Sequence, residues 1–148
     1  MKDTDDLGEA AAAGFEAGLY CAESVLQSVA DHYGFDSPLI PRIATGFCSG
    51  MARTGGTCGA VSGAILAINL MSGRDGADQS VEPNYAAIRQ LVEGFRERFG
   101  STMCGELLEC DLGTPEGQEH FAKNELWHRC RDFTSGAAGM TADILSPR

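Results

Sequence analysis

The sequence predicts an all-α protein, a compact bundle of five to seven helices around one apolar helix that starts at Cys58. Three observations carry this. Apolar residues recur at helical spacing in several separate stretches. No stretch alternates apolar and polar residues as a half-buried strand would. The β-branched residues sit inside helical periods, with glycines between them. A chain of 148 residues fits a single domain, 1–148, and can bury a core without disulfides or metal.

Residues 4 to 17 form the first expected helix, with Leu7, Ala10, Ala11, Gly14 and Phe15 near helical spacing and Gly18 ending it. A second begins around Cys21 and puts Ala22, Val25, Leu26, Val29 and Tyr33 on one face before Gly34 closes it. Phe35-Asp36-Ser37-Pro38 reads as a helix start, and a short helix follows through Leu39, Ile40, Ile43 and Ala44. From Gly46 to Thr57 four glycines mark a tight loop. Thr57 is the expected N-cap of the central helix, which puts Cys58 on its first helical residue; Ala60, Val61, Ala64, Ile65, Ala67, Ile68 and Leu70 make that helix strongly apolar.

Residues 72 to 80 form a polar turn. Pro83 then opens a long amphipathic helix with Tyr85, Ile88, Leu91, Val92, Phe95 and Phe99 on its apolar face, terminated by Gly100. Cys104 leads into a brief helical turn. A closing helix is expected from Pro115 to Cys130 with Phe121, Leu126 and Trp127 inward. A last segment to Leu145 is weakened by Gly136 and Gly139.

The net charge of −10 and a pI near 4.6 argue against phosphate backbones and anionic membrane surfaces as partners. The acidic, polar N-terminus carries no secretory pattern and the apolar run after Cys58 is too short to span a bilayer, so the expected location is cytoplasmic. The glycine loop lacks the lysine of a phosphate-binding loop, since the only lysines are Lys2 and Lys123, and no strand precedes it for a dinucleotide site. Its glycines instead let the backbone turn sharply and approach cysteines. Gly59 and Gly63, one turn apart, offer a flat face to another helix. His128 lies two residues before Cys130; His32 and His120 carry no spacing signal, and no serine–histidine–acid set stands out.

Six cysteines remain: Cys21, Cys48, Cys58, Cys104, Cys110 and Cys130. No two form a C-x-x-C pair, which counts against a zinc ribbon and thioredoxin-type chemistry, and a reducing compartment disfavours structural disulfides. Cysteine as a small buried hydrophobe accounts for one or two, such as Cys48 and Cys110, but poorly for all six. Cys21, Cys58 and Cys104 each fall at or near a helix start. At such a position the dipole and unpaired N–H groups favour thiolate, and Cys58 is expected to feel this most.

The segment T-C-G-A-V-S-G (Thr57 to Gly63) contains C-G-A-x-x-G. Together with C-A-E-S-V-L from Cys21, the glycine loop, R-F-G-S-T-M-C-G-E-L-L from Arg98 and the later Cys130, it resembles the C_GCAxxG_C_C family, labelled redox-active. The label writes G-C-A where this chain has C-G-A. Cys48 replaces a glycine common in the family's loop, and Cys110 is additional. The resemblance implies a small helical fold with four characteristic cysteines, here Cys21, Cys58, Cys104 and Cys130. A related module accompanies haem domains in split-Soret-type cytochromes, which implies an iron–sulfur centre.

The leading expectation is therefore electron transfer through an iron–sulfur cluster ligated by those four cysteines, with a redox partner protein. Two alternatives stand beside it. One is metal-free thiol–disulfide exchange with Cys58 as reactive thiolate and Cys21 among the catalytic thiols. The other is a structural zinc site on the same four residues. A homodimer is compatible with all three.

Overall fold

The computed structural model describes residues 2–146. Among them the regular structure is helical, and pairing of the extended kind is limited to one antiparallel bridge between Thr57 and Met103. Among the described residues eight α-helices are present rather than five to seven: α1 (Lys2–Glu16), α2 (Cys21–His32), α3 (Cys48–Arg53), α4 (Gly59–Ser72), α5 (Glu82–Phe99), α6 (Cys104–Leu108), α7 (Pro115–Lys123) and α8 (Trp127–Leu145).

The apolar faces explain the packing. Leu7 and Ala11 of α1 are buried against α8, and the glycine at position 8 lets the Ser135 backbone come close. Val25, Leu26 and Val29 of α2 meet Ala60, Val61, Ala64 and Ile68 of α4 in one core, which Leu91 and Phe95 of α5 and Phe133, Ala137 and Ala138 of α8 complete. Phe95, Phe99 and Phe133 meet at ring-centroid separations of 4.7 to 6.0 Å, in the range where aromatic pairs attract.

The elements depart from expectation where packing or proline overrides local pattern. The short helix expected from Leu39 does not form; Pro41 lacks the N–H and restricts Ile40, so helical backbone begins only at Arg42–Phe47, as a 3-10 helix. On α5 the expected face holds from Ile88 to Phe99 and departs only at its start. Tyr85 is 50 % exposed, while Asn84 is buried with its amide donating to Asn69 Oδ1 (2.9 Å) and Ser72 Oγ (3.2 Å).

The expected Pro115–Cys130 helix is broken at Asn124–Leu126, where Glu125 takes φ of +50°. From Trp127 the chain runs unbroken to Leu145. Gly136 and Gly139 lie inside α8, where their helix-weakening effect is overcome by burial against α1 and α5; a Cβ on Gly136 would come within 2.8 Å of the Phe99 ring. Trp127, expected inward, is 38 % exposed and stacks on His128.

The loop after Phe47 is helical with the wrong hand. Ser49, Gly50, Met51, Ala52 and Arg53 all have φ between +58° and +68°, a turn of left-handed backbone. Each non-glycine residue there costs roughly 1–2 kcal/mol, so neighbouring contacts must hold it in place. The Thr54 and Gly56 N–H groups donate to the Gly50 carbonyl (3.2 and 2.9 Å), closing the turn on itself.

Candidate functional site

The starts of α2, α4, α6 and α8 meet at one end of the molecule, and each brings a cysteine. Cys21 is the first residue of α2, behind a cap in which the Tyr20 N–H donates to Glu23 Oε1 (3.0 Å). Glu23 also accepts from Thr45 Oγ1 (2.8 Å), tying the 3-10 helix to this corner. Cys104 is the first residue of α6. Cys130, expected at the end of a helix, lies instead in the first turn of α8, because the chain breaks before Trp127.

Cys58 is itself the N-cap of α4, with extended backbone (φ −52°, ψ 131°), rather than its first helical residue. Thr57 sits in the bridge to Met103 and does not cap. That bridge joins two of the cysteines through backbone. The Cys58 N–H donates to the Thr102 carbonyl (2.7 Å) and the Cys104 N–H to the Gly56 carbonyl (2.9 Å).

Two glycines make the remaining approaches possible. A Cβ on Gly59 would lie 2.3 Å from the Cys21 sulfur, and one on Gly50 would lie 2.5 Å from the Cys104 Cβ. Gly63 does the same for backbone, since a Cβ there would meet the Ala22 carbonyl oxygen at 2.6 Å and its Cα at 2.8 Å. The C-G-A-x-x-G pattern is thus a docking device. Its glycines seat the start of α2 against α4 and bring the Cys21 sulfur against Gly59, the residue after Cys58.

Cys21, Cys58, Cys104 and Cys130 all line one cavity of about 540 Å³, within the usual size range for small-ligand and cofactor sites. Phe15, Tyr20, Phe121, Trp127 and Phe133 supply much of its wall, with Arg53 from the left-handed turn. The sequence placed Phe15 at helical spacing, Phe121 and Trp127 inward and the loop glycines close to cysteines, as Gly50 is to Cys104, but gave none of the aromatics a place at this site. Which inward-facing residues meet is set by packing between segments distant in sequence, which no local period records. Cys48 and Cys110 do not line the cavity: Cys48 is buried behind Cys21, and Cys110 is half-buried. No histidine lines it either.

All six cysteines are free. Burial pushes the Cys58 thiol up to about 11, although N–H groups of Ala60 and Val61 aimed at the sulfur pull the other way. The expectation of a low-pKa Cys58 is therefore reversed, because loss of water around a charge outweighs the helix start. Burial likewise raises Cys104 to about 11, with Cys110 adding to it, and raises Cys130 to about 12, with Cys58, Cys104 and Cys110 adding to it. Cys58, Cys104, Cys110 and Cys130 thus act on one another electrostatically, whereas Cys21 acts on Cys48, whose thiol it and burial push well up. Even so, among the described residues no three His, Cys, Asp or Glu side chains are close enough together to hold a single metal ion.

No helix among the described residues is long and apolar enough to cross a membrane. No curated protein and no solved structure matches the chain. A family model described as "Putative redox-active protein (C_GCAxxG_C_C)" matches residues 19–144, a span that takes in all four cavity cysteines, and the chain belongs to that family.

Proposed function

We propose that this protein carries electrons on an iron–sulfur cluster held by Cys21, Cys58, Cys104 and Cys130. The observation that supports this is that four thiols from four different helix starts line one largely aromatic and aliphatic cavity. Thiolates are the usual ligands of such clusters, which supply one-electron chemistry when bound. The spread of the sulfurs along a cavity wall suits a cluster of several irons better than a single zinc ion, whose ligands must each come within about 2.3 Å of one point.

The chain's own groups favour an anionic centre here. The starts of α2, α4 and α8 direct backbone N–H groups and positive dipole ends toward this corner, those of Ala60 and Val61 acting on the Cys58 sulfur. On the lining Arg53 adds a positive charge and Glu16 a negative one, and the aromatic wall limits water. Electrons would pass to a redox partner protein.

Anaerobic purification, an absorption spectrum, and iron and sulfide analysis test the proposal. A brown protein with visible absorption and bound iron is expected. A chain that stays colourless and iron-free after incubation with ferrous iron and sulfide would refute it, and stoichiometric zinc in its place would favour the structural-metal alternative.

A further inference from the structure

Cys48 has no part in the cluster reading, yet it adjoins one of the four ligands proposed there. A Cβ on Gly59 would meet the Cys21 sulfur at 2.3 Å and the Cys48 Cα at 3.2 Å, so the absent side chain of Gly59 is what lets these two cysteines face each other. They come from segments far apart in sequence, the start of α2 and the loop before α4. Cys21 lines the cavity; Cys48 does not, and is buried behind it. The Cys48 thiol makes a long contact to the Ala44 carbonyl (3.7 Å), and its hydrogen bonding to Cys21, together with burial, pushes it well above the usual thiol range.

We propose that Cys21 and Cys48 form a two-thiol redox site in the cluster-free chain, with Cys21 as the cavity-facing thiol that attacks a small disulfide and Cys48 as the buried thiol that resolves it. In the first step the Cys21 sulfur attacks one sulfur of the substrate. The substrate S–S bond breaks, and one thiol leaves with the proton Cys21 gave up. In the second step the Cys48 sulfur attacks the Cys21 sulfur and the mixed disulfide breaks. The other thiol leaves with the proton from Cys48. Two electrons have then passed to the substrate, and the chain holds a Cys21–Cys48 disulfide, which an external dithiol reduces. The cavity of about 540 Å³ admits a low-molecular-weight disulfide, whereas Cys48 is out of reach of one. The two uses of Cys21 exclude each other, so the oxidised chain lacks one of four cluster ligands.

The test uses the full chain, reduced and iron-free, so its result does not depend on the cluster reading. The chain is treated with 2-hydroxyethyl disulfide, remaining thiols are alkylated, and linked peptides are mapped by mass spectrometry. Wild type is expected to yield the Cys21–Cys48 disulfide. Cys48→Ser should stop at a mixed disulfide on Cys21, while Cys110→Ser should behave as wild type. An unmodified Cys21, or Cys21 linked to Cys58, Cys104 or Cys130, overturns the proposal. So does a Cys48→Ser chain that resolves as fast as wild type. Circular dichroism checks that Cys48→Ser is folded; if it is not, the wild-type linkage map decides alone.

Discussion

Replacing Gly63 by alanine tests whether the C-G-A-x-x-G pattern works by bringing two helices into backbone contact. The added Cβ would meet the Ala22 carbonyl oxygen at 2.6 Å, its Cα at 2.8 Å and its carbonyl carbon at 3.0 Å. All three are backbone atoms of a helix, so no flexible side chain can move aside and α2 must shift as a body. Overpacking of this kind costs about 1–3 kcal/mol, and such a rigid neighbour puts Gly63 at the upper end. Alanine recovers about 1 kcal/mol of helix propensity, leaving a net loss of about 2 kcal/mol. For a chain of this size that lowers Tm by roughly 4–8 °C. Urea unfolding of the reduced, metal-free chain measures it as a lower midpoint at unchanged slope. Gly94→Ala on α5 is the control: its nearest neighbour would be Met140 Sδ at 3.9 Å, ordinary contact, so propensity should dominate and the variant should be more stable by up to about 1 kcal/mol. If Gly63→Ala is stabilised like Gly94→Ala, the docking role of the motif is wrong.

Gly50→Ala should be more damaging than Gly94→Ala, because it combines φ of +65° with a contact of 2.5 Å to the Cys104 Cβ; a loss of about 3 kcal/mol or more is expected by thermal unfolding, with less iron bound per chain. Cys58→Ser should lose iron more readily than Cys110→Ser, since only Cys58 lines the cavity, and equal loss in both would make Cys110 a ligand. The metal-free chain should lose stability in alkali. Its Cys58 and Cys104 thiols are raised from 9.0 to about 11 when folded, so the unfolded chain releases these protons first; the stabilisation is complete below about pH 9 and is lost as pH rises through 11. Cys58 alone accounts for about 3 kcal/mol of this, and urea midpoints at pH 8 and pH 10 should converge partly in Cys58→Ala.

The helical architecture was legible because burial writes a period of 3.6 into the sequence. Val25, Leu26 and Val29 on α2 and Leu91 and Phe95 on α5 are core residues that fall on the expected faces. The tight packing role of Gly59 and Gly63 was also readable, since two glycines one turn apart in an apolar helix have few other uses. What could not be read was set by contacts distant in sequence. Gly136 lies in α8 where a side chain would meet the Phe99 ring, and Gly50 lies in the left-handed turn where a side chain would meet Cys104, both partners distant in sequence. Cys130 was assigned to the wrong end of a helix because the break at Glu125 is a backbone conformation that no glycine or proline announces. At the thiol site, motif position brought the four cysteines into view, but their ionisation depends on burial, which the helix-start argument for Cys58 did not weigh.

That reversal bears on what the site is for. A helix start alone would make Cys58 a poised nucleophile, but its sulfur has so little access to water that the neutral thiol wins near pH 7. Cys104 and Cys130 are held neutral for the same reason, each also disfavoured by a neighbouring sulfur. Thiolates gathered in an apolar cavity would repel one another and lack solvation, so Cys58, Cys104 and Cys130 keep their protons. Cations entering the cavity change the balance, because each thiolate then gains a partner and the N–H groups at the helix starts reinforce it. Binding of the proposed cluster would therefore release protons and grow more favourable as pH rises toward the raised thiol values of about 11. On the proposals made above, burial suits Cys58 to the role of ligand, and the dithiol falls to Cys21 and Cys48 because those two thiols are already coupled, a coupling that itself raises the Cys48 thiol while both are reduced.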